Sequence, residues 1–360
     1  VERGTIEIAR TITQQGWTSL VASKSGEQVR HVIHAGGQHF DLNLKTKSPL
    51  GIWLNSFKLE KIIRKHKVDV VHARSRAPAW SAYLAAKRAS VPFMTTFHGV
   101  YGLEGKWKKK YNEVMVKGER IIAVSKFIAD HIKNEYAPDM ARVRIIHRGA
   151  DLRTFQPERI TQQRMVDLIK SWNIPEHLPI ILFPGRITRW KGQDVFIKAL
   201  AKLPTRNFFA VLVGDDSQHP QFREEVESLI REHRLDGHAR MVGSTPYMPE
   251  AYKLSKLVVA TSVEPEAFGR VVLEAQAMGK PVIATNHGGA RETVIHNQTG
   301  WLVEPNDVDG LSHVIDAVLS ANDAILEQIG AQGMAQAKLF SSDAMCEKTL
   351  SVYRELLRKI

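Results

Sequence analysis

Apolar and polar positions alternate along this chain in a regular rhythm. Strand-sized apolar runs are each followed by a polar or glycine-containing turn and then a stretch of helical periodicity. SLVAS, KVDVVHA, VPFMTTF, RIIAVS and VRIIHRG read as strands in the first half. LPIILFPGR, FFAVLVGD, ARMVG, KLVVATS and KPVIATN do so in the second. Continuous apolar runs without a polar face suit strands buried on both sides, and their alternation with helices predicts two parallel α/β sheets. The polar stretch after Asp151 reads as a linker. SSDAMCEKTLSVYRELLRKI reads as a closing amphipathic helix, with Ser341, Ser342 or Asp343 placed to cap it. The chain opens directly in a helical pattern, whereas a doubly wound domain opens with a strand. Residues preceding Val1 are therefore expected to supply that strand.

Composition narrows the class. With 360 residues, two domains are expected. No apolar run reaches the roughly 18–20 residues of a membrane span. The single cysteine, Cys346, permits no internal disulfide and suits a reducing compartment and a packing role. The net charge of +12 is unevenly placed: residues 1–160 hold 28 Lys and Arg against 14 Asp and Glu, and the remainder 22 against 24. A basic first half suits an anionic partner, namely nucleic acid, an anionic membrane or a phosphorylated substrate, with general surface solvation as the competing reading. No nucleic-acid recognition motif is present.

The chemistry concentrates in EPEAFGRVVLEAQAMGKPVIAT, residues 264–285. It reads as loop, helix, glycine stop and strand. Glu266 lies in the loop, and Glu274 lies in an otherwise apolar helix where an unpaired carboxylate is costly. Carboxylates accept hydrogen bonds from hydroxyls and are poor phosphate ligands, so the pair suits a polyhydroxyl ligand such as ribose or a hexose. Paired structural carboxylates are the competing reading. Arg186, Arg189 and Lys191 fall in the strand-to-helix loop of LFPGRITRWKGQDVFIKAL, where helix N–H groups add to their charge at an anion site. The loop is not a P-loop, and no glycine fingerprint for a nicotinamide dinucleotide is present. Adjacent Asp215 and Asp216 read as a turn rather than a metal motif.

EPEAFGRVVLEAQAMGKPVIAT resembles the E-x7-E signature of the family-4 retaining glycosyltransferases of GT-B fold, and GRITRWKG resembles their diphosphate loop. LVGDD, MVGSTPYMPEAYKLSKLVVATS and TNHGGARETV follow the family order, as do TTFHG, RIIAVS, VRIIHRGAD and VERGT more loosely. The resemblance implies two Rossmann-like doubly wound domains facing across a cleft. Residues 1–157 would form the acceptor side, 158–340 the nucleotide-sugar domain, and 341–360 a helix packing back on the first. It implies that Gly185, Arg186 and Lys191 hold a donor diphosphate and that Glu274 takes the ribose. Glu266 would take a hydroxyl of the sugar, with Ala267, Phe268, Gly269 and Arg270 around the sugar and phosphate. Val242, Gly243 and Ser244 would lie by the base. His98, Glu266, Arg186 and Lys191 would be the catalytic set. Arg148 departs from the family's usual Asn at that position. His72, Arg74, Arg76 and Arg148 are candidates for an anionic acceptor.

The expected reaction moves a sugar from a nucleotide diphosphate sugar, UDP favoured, to a glycolipid or phosphorylated saccharide in envelope-glycan or lipopolysaccharide synthesis. No cofactor and no metal is expected, and neither is nucleic acid. The expected location is cytoplasmic and peripheral on the inner membrane face. A sugar-nucleotide epimerase or a non-catalytic sugar-nucleotide binder of the same fold is the alternative. Two basic, aromatic stretches are candidates for an anionic membrane surface. In GKWKKKYNEVMVKG, Trp107, Tyr111, Val114 and Met115 fall on one helical face behind Lys106, Lys108, Lys109 and Lys110, with ordinary packing of an amphipathic helix on the sheet as the competing reading. The other is SPLGIWLNSFKLEKIIRKHK.

Overall fold

A computed structural model describes residues 2–102, 105–175 and 177–358. They form two compact units, Val1–Arg148 with Ser342–Ile360, and Gly149–Ser341. The boundary lies after Arg148 rather than after residue 157. The segment between is not a free linker: Ala150 and Phe155 are buried in the second unit's core, where the Phe155 ring meets Tyr252 edge-on at 5.7 Å.

In the first unit, β1 (Leu20–Ser23) and β2 (Gln38–Asp41) form a two-stranded parallel sheet. A separate four-stranded parallel sheet runs in the order β3 (Val71–Ala73), β4 (Phe93–Phe97), β5 (Arg120–Ala123) and β6 (Val143–Ile145). Among the described residues no strand joins the two sheets. The helix Ser342–Leu357 belongs to this unit. Its Met345, Cys346, Leu350 and Tyr353 share a core with Ile8 of the opening helix Glu2–Gln14. Its Glu355 is bonded by Arg120 at 2.8 Å and Arg144 at 2.9 Å, from β5 and β6. Burial pushes the Cys346 thiol up to about 11, so it stays protonated and packs as a small apolar group.

The second unit holds one six-stranded parallel sheet. Its strands are β7 (Ile180–Pro184), β8 (Phe209–Val213), β9 (Ala239–Met241), β10 (Leu257–Ala260), β11 (Val282–Thr285) and β12 (Trp301–Val303). Their spatial order is β12-β11-β10-β7-β8-β9. Every residue of β7, β8 and β11 is buried, as covering on both faces requires. The chain runs outward from β7 through β8 and β9, then returns to the other side of β7 for β10 to β12. The order therefore reverses between β7 and β10, and ligands of such sheets bind outside the carboxyl ends at that reversal.

Two strands escape the sequence pattern. QHFD of β2 has little apolar content, and WLV of β12 is only 3 residues long. The basic stretch after Gly105 also differs from its expected single amphipathic helix. It is a helix Lys106–Asn112 followed by a 3-10 turn Glu113–Val116. The tightened turn sends Val114 and Met115 into the core and leaves Trp107 84 % exposed.

Candidate active site

The reversal between β7 and β10 positions two loops side by side. The loop after β7 carries Gly185, Arg186 and Lys191 and ends at the helix Gln193–Ala201. The loop after β10 carries Ser262 and Glu266–Gly269 and ends at the helix Arg270–Ala277. Close backbone approach holds them together. The Val263 amide donates to Trp190 O at 2.8 Å, and a Cβ on Gly192 would lie 2.2 Å from Thr261 O. Gly192 also has φ of +77°, so Gly192→Ala meets both strain and a backbone collision. The expected cost is at least about 2 kcal/mol, or roughly 4 °C or more in Tm. Thermal unfolding of that variant measures it.

Lys191 and Glu266 meet between these loops, Nζ to Oε1 at 2.6 Å, with side chains only 12 % and 21 % exposed. The Ser262 hydroxyl donates a short hydrogen bond to the same Glu266 oxygen. Lys191 Nζ also stands 4.5 Å from the centroid of the Trp190 ring. Burial raises the Glu266 carboxyl, but Lys191, Ser262 and His287 together outweigh it and hold the group below its usual range. A group depressed on folding contributes stability above its unfolded value, near 4.5, and loses it as pH falls through the lower folded value. Wild-type protein should therefore lose its stability advantage over Glu266→Gln only below about pH 4.5. Parallel denaturation curves across pH check this.

Glu274 is paired as well. Arg270 donates to Oε1 at 3.2 Å and the buried Tyr252 hydroxyl to Oε2 at 3.1 Å. Burial, and then the Glu274 charge, push the Tyr252 phenol well above its ordinary value, so it remains a donor. A cation one helical turn earlier and a tyrosine from another helix thus make this carboxylate tolerable. Both acidic residues keep oxygen lone pairs for hydroxyl donors.

The Gly288–Gly289 pair lets the segment after β11 press against the Glu266 loop. A Cβ on Gly288 would lie 2.4 Å from Glu266 O, and one on Gly289 2.4 Å from Phe268 Cα. The Gly289 amide donates to Glu266 O at 2.8 Å. Ser262, Glu266, Gly269 and His287 line a narrow crevice here. His287 Nε2 donates to Ser262 O at 2.7 Å. Ser262 and His287 were not among the candidates read from sequence. The histidine preceding a glycine pair is the signal that marks the second.

The remaining second-unit candidates follow the strand ends. Gly185 N donates to Val213 O at 2.8 Å, Gly214 N to Gly243 O at 2.9 Å, and Val242 N to Leu212 O at 3.1 Å. Val242, Gly243 and the exposed Ser244 therefore flank the β8 end, which adjoins the Gly185 loop. Arg186 is exposed, and its carbonyl accepts from Gln193. Ala267 is half-buried and Phe268 is buried against Phe340. Arg189 leaves this group: it pairs with Glu225, NH1 to Oε1 at 3.0 Å, because the short 3-10 turn Arg189–Lys191 aims it away from Lys191. Asp215 accepts from Ser217 and Asp216 meets Arg223, as a turn requires.

In the first unit, His98 follows β4, and both its ring nitrogens are buried without a hydrogen-bond partner. Burial, with Arg74 and Arg148 nearby, holds the imidazole well below its usual range and so neutral. Arg74 Nε is likewise buried without a partner, and the smallness of Gly4 admits its guanidinium, with NH2 3.1 Å from where a Cβ would stand. His72 is not open to an acceptor. Its nitrogens are taken by the Tyr353 hydroxyl at 2.8 Å and the Thr96 hydroxyl at 2.7 Å. Arg76 is also used internally, bonded to Asn112 at 3.1 Å and stacked 4.4 Å over Tyr101. Neither partner could be read from sequence, because Tyr353 and Asn112 come from elements remote in the chain.

Two family models match the chain, "Glycosyltransferase Family 4" over residues 1–154 and "Glycosyl transferases group 1" over residues 166–334. A solved glycosyltransferase from Rickettsia africae ESF-5 is 39 % identical with a TM-score of 0.94, covering 100 % of this chain and 96 % of that one. HepE from Anabaena, solved in complex with UDP and glucose, shares the fold at 21 % identity and TM-score 0.86, covering 98 % and 95 %. D-inositol 3-phosphate glycosyltransferase of Nocardioides sp. is 28 % identical over 391 residues, covering 99 % of this chain and 82 % of the relative.

Proposed function

This chain belongs to the group 1 and family 4 glycosyltransferases of GT-B fold, and on that premise we propose that it is a retaining hexosyltransferase using a UDP-sugar. The proposed acceptor is a phosphorylated saccharide or glycolipid of an envelope glycan such as lipopolysaccharide. The observation that carries the reading is the Lys191–Glu266 pair at the sheet reversal, with Arg186 exposed in the same loop. UDP in the HepE complexes and the inositol phosphate in the names of curated relatives support the two substrate classes. The enzyme acts in the cytoplasm at the inner membrane face. Among the described residues no helix is long and apolar enough to cross a membrane.

Lys191 is held by Glu266. An arriving diphosphate draws the ammonium toward its oxygens, and Glu266 turns its freed lone pairs to a sugar hydroxyl. Glu274 accepts from the ribose. As the glycosidic bond breaks, positive charge grows on the sugar ring and negative charge on the departing phosphate. Arg186 and Lys191 meet that negative charge in a preorganised setting, so the reaction proceeds without a metal. The acceptor oxygen bonds to the anomeric carbon on the face from which the phosphate departs and gives its proton to the departing phosphate oxygen, so the anomeric configuration is retained. Glu266, turned to a sugar hydroxyl, is not directed at the anomeric carbon, so a covalent intermediate on it is disfavoured. In the first unit, neutral His98 and the nearby Arg74 and Arg148 are the proposed acceptor-side residues, the arginines suited to the acceptor's phosphate.

A thermal-shift screen of sugar nucleotides tests the donor assignment. A UDP-hexose should raise Tm progressively with its concentration, and GDP-sugars should not. The epimerase alternative predicts a different product from labelled donor, namely an epimerised free sugar nucleotide with no glycosylated acceptor.

A further inference from the structure

The helix Pro49–Lys65 in the first unit has one face packed against the protein and another that is largely exposed. Asn55, Ser56, Leu59 and Ile63 are buried. The Ser81 hydroxyl donates to Ile52 O at 3.1 Å, and Arg88 donates to the Ser56 hydroxyl at 2.8 Å, both from the helix Arg76–Ala89. Away from that contact, Leu50, Trp53, Leu54 and Phe57 are between 42 % and 64 % exposed. Their i, i+3, i+4, i+7 spacing makes a continuous stripe over two turns. Within the stripe the Trp53 and Phe57 rings meet edge-on at 4.6 Å, and the Arg88 guanidinium sits 4.3 Å over Phe57.

Lysines surround the stripe. Lys45 and Lys47 precede it, and Lys58, Lys61 and Lys65 follow, all exposed. The helix's only acidic residue, Glu60, is occupied by Arg64 at 3.0 Å and Arg88 at 2.5 Å. An apolar centre containing tryptophan, inside a ring of free lysines, matches the boundary between lipid headgroups and acyl chains. A second copy fits poorly, because apposing two such faces brings their lysines together. Nucleic acid has no use for a leucine and tryptophan stripe.

Resting on the membrane-face location proposed above, we propose that this helix face docks the protein on an anionic lipid bilayer. Leu50, Trp53, Leu54 and Phe57 enter the headgroup boundary, and the lysines lie against lipid phosphates. The stretch after Gly105, the other membrane candidate, has instead turned its valine and methionine inward.

The test is co-flotation of the full chain with vesicles of phosphatidylcholine alone or mixed with phosphatidylglycerol. The wild type should float with the mixed vesicles only, and added salt should release it. Trp53→Ser with Leu54→Ser should weaken binding at least tenfold, and Lys58→Gln with Lys61→Gln about tenfold or more. Both double variants should melt near wild type and keep wild-type thermal shifts with UDP-sugars, so donor binding and docking fail separately. Absence of wild-type binding to anionic vesicles overturns the proposal. So does unchanged binding by the serine variant. A concentration-dependent dimer in light scattering that the serine variant abolishes, without vesicle binding, assigns the face to a second copy instead.

Discussion

Glu266→Gln should lower kcat about a hundredfold or more while changing donor Kd by less than about tenfold. The reason lies in when the contact is made. In the structure the carboxylate is bonded to Lys191 at 2.6 Å and to the Ser262 hydroxyl. On the proposed reading it turns to a sugar hydroxyl as Lys191 turns to the diphosphate, so its contribution grows toward the transition state. Glutamine keeps the shape and one acceptor oxygen but removes the charge that orders Lys191. Glu266→Ala is the harsher variant, because it strands a nearly buried ammonium, at a cost of about 3–5 kcal/mol in stability. Steady-state kinetics of Glu266→Gln, with donor Kd from calorimetry, separates the effects. A kcat within twofold of wild type would make the Lys191–Glu266 pair purely structural.

Glu274→Ala should have the opposite signature. Donor Kd rises about 10- to 100-fold, because hydrogen bonds to a charged group are worth about 1.5–3 kcal/mol, and kcat at saturation falls little. The variant also leaves Arg270 and the buried Tyr252 hydroxyl without their partner, so Tm should drop. Glu274→Gln keeps an acceptor for both and should recover most of the Tm but only part of the affinity. That recovery separates ribose binding from support of Tyr252. If Glu274→Ala binds donor as tightly as wild type, the carboxylate serves only its internal partners.

How much of this was legible beforehand depends on what each feature is made of. Buried parallel strands such as IILFP and FAVLV announce themselves as continuous apolar runs, so the doubly wound class was readable. QHFD was not, because a short exposed strand has no apolar signature. The loops bearing Arg186, Lys191 and Glu266 were readable because strand-turn-helix units place ligands at strand ends. Their pairing was not, since Lys191 and Glu266 meet only through a sheet order that no local pattern encodes. For the same reason His72 looked available but is held by Tyr353 of the closing helix, and Glu274 looked unpaired although Arg270 lies one turn away. The placement of Arg189 turned on a 3-10 turn too short to leave a periodicity. Unit boundaries followed packing rather than polarity: Phe155 lies in a polar stretch yet is buried in the second unit.

The central claim is that Arg186, Lys191 and Glu266 act together on a nucleotide sugar. It is tested most directly by transfer from labelled UDP-hexose to a phosphorylated saccharide acceptor, comparing wild type with the combined Arg186→Ala, Lys191→Ala, Glu266→Gln variant. Wild type should form a glycosylated product with the donor's anomeric configuration retained, and the folded triple variant none above the enzyme-free background. Transfer or donor hydrolysis that survives in the triple variant would contradict the account.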